Sequence, residues 1–135
     1  MISIIVPMKN EEKNCKPLAD SIIKTVRKEK WKAELILVDD ASDDKTPEIL
    51  DSIAKKRNFI KIIHRRPPSG PGRALRAGFK AAKGDKIVTM DGDLSHDPGD
   101  MPKLVAGLAS ADMVCGSRNI KGGRADMQKR AVGQK

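Results

Sequence analysis

The chain has 135 residues, 39% hydrophobic and 33% charged, with a formal net charge of +9, which suits one globular domain and excludes a fibrous or low-complexity chain. Aromatic residues make up only 2%, with no tyrosine, so the core must rest on Ile, Leu, Val, Ala and Met, and the stacking platforms of a single-stranded nucleic-acid binder are missing. Cys15 and Cys115 are too few and too far apart for a zinc pattern or a disulfide framework, and no run approaches the ~18 apolar residues of a membrane span.

Taken in order, Ile2 to Val6 is a continuous β-branched run closed by Pro7, the profile of a strand covered on both faces. Met8 to Asn14 is polar and turn-rich. Pro17 to Arg27 predicts a helix with Leu18, Ile22, Ile23 and Val26 on one face. Glu34 to Val38 is a second strand ending in Asp39-Asp40, and the loop Ala41 to Lys45 follows. Thr46 is expected to cap a second helix, with Pro47 at its first position and Ile49, Leu50, Ile53 and Ala54 as the apolar stripe.

Phe59 to Ile63 predicts a third strand, ending at His64, Arg65 and Arg66. After the loop Pro67 to Gly72, a third helix is expected over Arg73 to Lys83, with Ala74, Leu75, Gly78, Phe79 and Ala82 inward and Gly84 as its stop. Ile87 to Met90 predicts a fourth strand. A fourth helix is expected over Pro98 to Ser110, and Asp112 to Cys115 reads as a fifth strand. His96, just before Asp97-Pro98, is read as serving a helix cap rather than as a ligand, and His64 as structural or solvent-facing.

Strand and helix alternating with short links predict a parallel α/β sheet with right-handed crossovers. Ligands of such sheets bind beyond the carboxyl ends of the strands. Those ends carry Asn10 and Glu11, Asp39 and Asp40, His64 and Arg65, Asp91 and Asp93, and Ser117 and Arg118. Asp91 and Asp93, one residue apart where a strand gives way to a turn, can face one hard cation while Gly92 lets the backbone bend between them. Arg118 to Lys135 holds +5 of the +9 net charge, a tail suited to phosphate or an anionic membrane surface.

The segments SIIVPMKNEEKN, ELILVDDASDDKTPEIL, GPGRALRAGFKAAKGDKIVTMDGDLSHDP and ADMVCGSR, in that order, resemble the family 2 glycosyltransferases of the GT-A fold. Among these the likeness is to the dolichyl-phosphate mannose synthase and polyprenyl-phosphate glycosyltransferase group. It runs from about Ile2 to Arg118, and the family's usual Ala between the two aspartates is Gly92 here. The resemblance implies a Rossmann-like, mostly parallel sheet with helices on both faces. It also implies Mg²⁺ or Mn²⁺, a nucleotide-sugar donor (GDP-mannose favoured, UDP-glucose second) and a polyprenyl or dolichyl phosphate acceptor.

Mapped onto this chain, the resemblance places Pro7 and Glu11 at the base and ribose and Asp39 on the base, with Asp40 left structural. Gly72 and Arg73 would approach the base and phosphates, Asp91 and Asp93 hold the metal, and Arg118 meets a phosphate or the sugar. Arg130, with Lys129 and Arg124, is the expected seat of an acceptor phosphate, since guanidinium matches phosphate oxygens in a fork. Residues 1–118 are thus expected to form the donor-binding core and 119–135 a basic tail opening an incomplete acceptor region. Ending at Lys135, the chain is expected to be C-terminally truncated.

The expected activity is inverting transfer of a hexose, with mannose favoured, at the cytoplasmic face of a membrane. The alternative is a non-catalytic nucleotide-sugar-binding module. Gly70-Pro71-Gly72 is not a dinucleotide fingerprint, because Leu75 stands at the third glycine's place and the motif follows the third strand. A nucleic-acid partner is not expected, since it would leave the acidic strand ends unexplained.

Overall fold

The apolar runs form one sheet. A computed structural model of the chain describes residues 1–107, 113–116 and 127–128. Strands β1 (Ile2–Met8), β2 (Ala33–Asp40), β3 (Ile60–Arg65), β4 (Lys86–Thr89), β5 (Met113–Gly116) and β6 (Met127–Gln128) lie in the order β3-β2-β1-β4-β5-β6. Every neighbouring pair is parallel except β5 and β6. The helices are α1 (Cys15–Glu29), α2 (Thr46–Lys55), α3 (Pro71–Ala81) and α4 (Met101–Gly107).

Successive side chains on a strand leave on opposite faces, and the two faces of the sheet are covered separately. Ile2, Ile4, Val6 and Met8 of β1 join Leu35 and Leu37 of β2 against Leu18, Ile22, Leu50, Met101 and Leu104 from α1, α2 and α4. Ile5, Ile36 and Val38 point the other way, onto Ala74 of α3. Helix α3 lies so close to β1 that a Cβ on Gly78 would come within 2.4 Å of Ile5 Cγ2. The stripe expected on α3 is therefore the packed face, and Gly78 is its point of closest approach.

Several boundaries differ from the sequence expectation, each for a local reason. Strand β2 runs on through Asp39 and Asp40, which pair in register with His64 and Arg65 of β3. Thr46 begins α2 but does not cap it: its Oγ1 accepts the Glu11 N–H at 2.9 Å, while Asp44 accepts the Thr46 N–H at 2.9 Å. Helix α3 starts two residues early, at Pro71, and its C-cap Ala82 is extended. Gly84 is thus no left-handed stop; a Cβ there would lie 2.6 Å from Met1 O and 2.9 Å from Ser3 N. The expected fourth helix opens as a 3-10 turn, Pro98–Asp100, capped by the Asp97 side chain on Gly99 N at 2.8 Å. His96 is not that cap. Within the expected basic tail, Met127–Gln128 pairs antiparallel with β5.

Candidate functional site

The loops after β1 and β2 are stitched together by short polar side chains. Asn10 N–H donates to Ser42 Oγ at 3.0 Å, and Asn10 Oδ1 accepts from Asp43 N at 2.7 Å. Glu12 N–H donates to Asp44 Oδ2 and Glu12 Oε1 accepts from Lys45 N, both at 3.3 Å. Asn10, Ala41 and Leu94 all have positive φ, at 53°, 58° and 63°. They follow β1, β2 and the Asp91–Asp93 turn, so left-handed backbone collects at the carboxyl edge of the sheet. Such conformations cost roughly 1–2 kcal/mol per non-glycine residue and cluster where loops are shaped for ligands.

That edge holds a cleft of about 300 Å³, lined by Pro7, Met8, Lys9, Glu11, Asp40, Ser69, Gly70, Pro71, Asp91, Gly92 and Asp93. It brings together the expected residues Pro7, Glu11, Asp91 and Asp93. A larger groove of about 490 Å³ lies between α1 and α2, but it runs along the helices, away from the strand ends. Gly72 and Arg73 sit exposed in the first turn of α3, and Gly70 and Pro71 line the cleft instead. Arg118, Arg124, Lys129 and Arg130 lie outside the described residues.

Of the two adjacent aspartates, Asp40 lines the cleft and Asp39 does not. Asp39 shares the face of Leu35 and Leu37, away from the cleft. Its Oδ1 accepts from Ser42 N at 3.2 Å, and its Oδ2 lies 2.9 Å from His64 Nδ1. His64 Nε2 in turn lies 2.8 Å from Asp51 Oδ1. The hydrogen bond to Asp39 raises the His64 pKa, against the downward pull of burial and with further help from Asp51. Asp40 shares the face of Ile36 and Val38 and lines the cleft. It is ion-paired with Arg65, and its Oδ2 accepts from Gly70 N at 2.8 Å, which ties the loop before α3 to the tip of β2.

One further residue of the cleft was missed by sequence reasoning. Lys9 is the only lysine or arginine among the described residues lining the cleft, and its Nζ donates to the neutral Ser69 Oγ at 2.7 Å across the mouth. The signal available was its position within PMKNEE, between residues already assigned. Cys15 is a free, buried thiol, and burial, partly offset by a hydrogen bond with Thr46, pushes its pKa up to about 11.

The turn after β4 is braced along its length. Gly92 is buried, and a Cβ would stand 2.8 Å from Met8 Cγ and 3.0 Å from Pro7 O. Its φ is not in the left-handed region, so the glycine serves close approach rather than a special bend. Ser95 N donates to Asp93 Oδ1 at 3.0 Å. Among the described residues no group of three or more His, Cys, Asp or Glu could hold a metal by itself. The carboxylates of Asp91 and Asp93, both lining the cleft, suit Mg²⁺ or Mn²⁺ only with further donors from water or a bound phosphate. The donor set therefore fits a hard cation only where its remaining ligands come from outside the protein.

A family profile described as glycosyl transferase family 2 matches residues 3–131. The chain is 36% identical over 126 residues to the dolichol-phosphate mannosyltransferase of Pyrococcus furiosus, covering 93% of this chain and 35% of that protein. It is 38% identical over 121 residues to the dolichol-phosphate mannosyltransferase of Saccharomyces cerevisiae, covering 89% and 45%. The chain thus spans less than half the length of these relatives.

Two solved structures share the fold. One is a mannosyltransferase from Pyrobaculum calidifontis in complex with GDP-Man and Mn²⁺ (TM-score 0.60, 26% identity, 68% of this chain and 27% of that one). The other is glucosyl-3-phosphoglycerate synthase from Mycobacterium tuberculosis with Mn²⁺, UDP and glucosyl-3-phosphoglycerate (0.64, 32%, 82% and 40%). The sheet order with helices on both faces is the GT-A arrangement that the sequence resemblance implied.

Proposed function

This chain belongs to glycosyl transferase family 2, and from that premise we propose that its cleft binds a nucleoside-diphosphate sugar with a divalent cation, for transfer of the hexose to a polyprenyl or dolichyl phosphate. The observation carrying this reading is the cleft itself, whose lining gathers Asp91, Asp93, Glu11 and Asp40 with one lysine. Carboxylates alone would repel a diphosphate, so the arrangement calls for a cation between them. The metal-bound relatives favour Mn²⁺, with Mg²⁺ as the chemical equivalent, and the mannosyltransferase relatives favour GDP-mannose over UDP-glucose.

In this reading Asp91 and Asp93 hold the cation, which when bound supplies Lewis-acid neutralisation of charge on the departing diphosphate. Pro7 and Glu11 line the base and ribose, and Asp40 takes the base contact that the sequence mapping gave to Asp39. Gly70 and Pro71 replace Gly72 and Arg73 as the backbone wall, and Lys9 offers a mobile cation to the phosphates. The anomeric bond to the diphosphate breaks as the acceptor phosphate oxygen bonds to the anomeric carbon. That nucleophile is already anionic, so no strong general base is required. Arg118 is assigned to the leaving phosphates and Arg130 to the acceptor phosphate, with the basic segment around it lying against an anionic membrane surface. Among the described residues no helix is long and apolar enough to cross a membrane.

Calorimetric titration of GDP-mannose and UDP-glucose, with and without Mn²⁺, tests the donor site. Binding should require the cation and be lost in Asp93→Asn; metal-independent binding that survives the substitution would overturn the reading. Transfer of labelled sugar to a polyprenyl phosphate then separates an enzyme from the second reading, a donor-binding module.

A further inference from the structure

His96 is 6% exposed and lies in the loop that presents Asp91 and Asp93. The β4 side of the ladder ends with Met90, whose N–H donates to Ile5 O at 3.2 Å. The next donor, the Asp91 N–H, has left the sheet and is directed at His96 Nδ1 at 3.4 Å. That distance is at the long end of hydrogen bonding, yet the partner is held by burial rather than by solvent. A ring nitrogen that accepts an amide hydrogen carries a lone pair, so in the neutral imidazole the ring hydrogen sits on Nε2. Nε2 is itself buried, and no described residue partners it.

A buried donor without a partner is unfavourable, and an apolar side chain of similar size would fill the space without one. What the imidazole offers here that an apolar side chain would not is its other nitrogen. We propose that His96 is a positioning residue of the donor site: through Nδ1 it fixes the Asp91 amide and so sets the direction in which the two carboxylates leave the chain. With Gly92 wedged under Met8 and Asp93 bonded to Ser95 N, the amide contact is the third brace on a turn that must hold its shape before the cation arrives. The proposal rests on the reading of Asp91 and Asp93 as the cation-binding pair.

Two measurements test it. Nitrogen NMR of the cation-free chain should show His96 as the tautomer protonated on Nε2, with a downfield Asp91 amide that moves in every His96 variant lacking an acceptor. A ring protonated on Nδ1 overturns the proposal, because it cannot accept that hydrogen. Second, His96→Asn places Oδ1 where Nδ1 stood, whereas His96→Leu keeps the volume and removes the acceptor. Mn²⁺-dependent GDP binding should stay within threefold of the parent in His96→Asn and weaken at least tenfold in His96→Leu. The opposite order would make the ring a space-filler and end the proposal. If the parent chain binds neither GDP nor UDP with Mn²⁺, the donor-site reading fails and the positioning role with it. If the parent binds and only the variants disagree, the fault lies with His96 alone.

Discussion

An offset of one residue along β2 decides which carboxylate meets the cleft, since neighbouring side chains leave a strand on opposite faces. Asp39 is bonded to Ser42 N and His64, and Asp40 lines the cleft while anchored by Arg65 and Gly70 N. Asp40→Asn should therefore weaken Mn²⁺-dependent nucleotide binding roughly 10- to 100-fold, the size expected for one lost charge-assisted hydrogen bond. Asp39→Asn should change it less than threefold and instead lower the His64 pKa, read by proton NMR. A reversed order in calorimetry would return the base contact to Asp39. The sequence made both aspartates visible as a strand-end pair. Choosing between them needed the register of β2 against β3, which no local pattern carries.

Among the elements, the edge of the sheet away from the cleft is held by a buried carboxylate. Glu34, 3% exposed at the start of β2, accepts from Ser3 Oγ at 2.5 Å, Lys61 Nζ at 2.8 Å and Lys83 N at 2.5 Å. It thereby joins β1, β2, β3 and the link from α3 to β4. Burial pushes its pKa up, but Lys61, the Lys83 amide and Ser3 together outweigh this and bring it down to about 2. A carboxylate whose folded pKa lies below its unfolded value of 4.5 adds stability above that value and loses it as pH falls toward 2. The difference corresponds to roughly 3 kcal/mol. Glu34→Gln should lower the urea midpoint at pH 7 and flatten the fall in stability between pH 5 and about 2. A variant that keeps the parent's acid profile would show that other groups set it. Helices α1 and α2 could be read from their apolar spacing. The role of Gly84 could not, because it depends on Met1 and Ser3, more than 80 residues away in sequence.

Across the whole molecule, a chain of net charge +9 presents an acidic cleft. Glu11, Asp40, Asp91 and Asp93 outnumber Lys9 there, so the global charge does not describe the site. Nucleotide alone should stabilise the chain little. With Mn²⁺, at a hundred times its Kd, it should add about 2.7 kcal/mol, a rise in Tm of roughly 10 °C for a chain of this size. An equal rise without the cation would remove the metal from the account.

By itself the sequence determined the alternating α/β class, the family, and the carboxylate turn after the fourth strand. Each of these is written in contiguous residues, as hydrophobic period or as a motif whose chemistry is local. Only the tertiary structure decided that Asp40 and Lys9 face the cleft, that Gly92 makes room for Met8, and that His96 meets the Asp91 amide. Those relations depend on strand register and on contacts between segments distant along the chain, where a shift of one position turns a side chain to the opposite face.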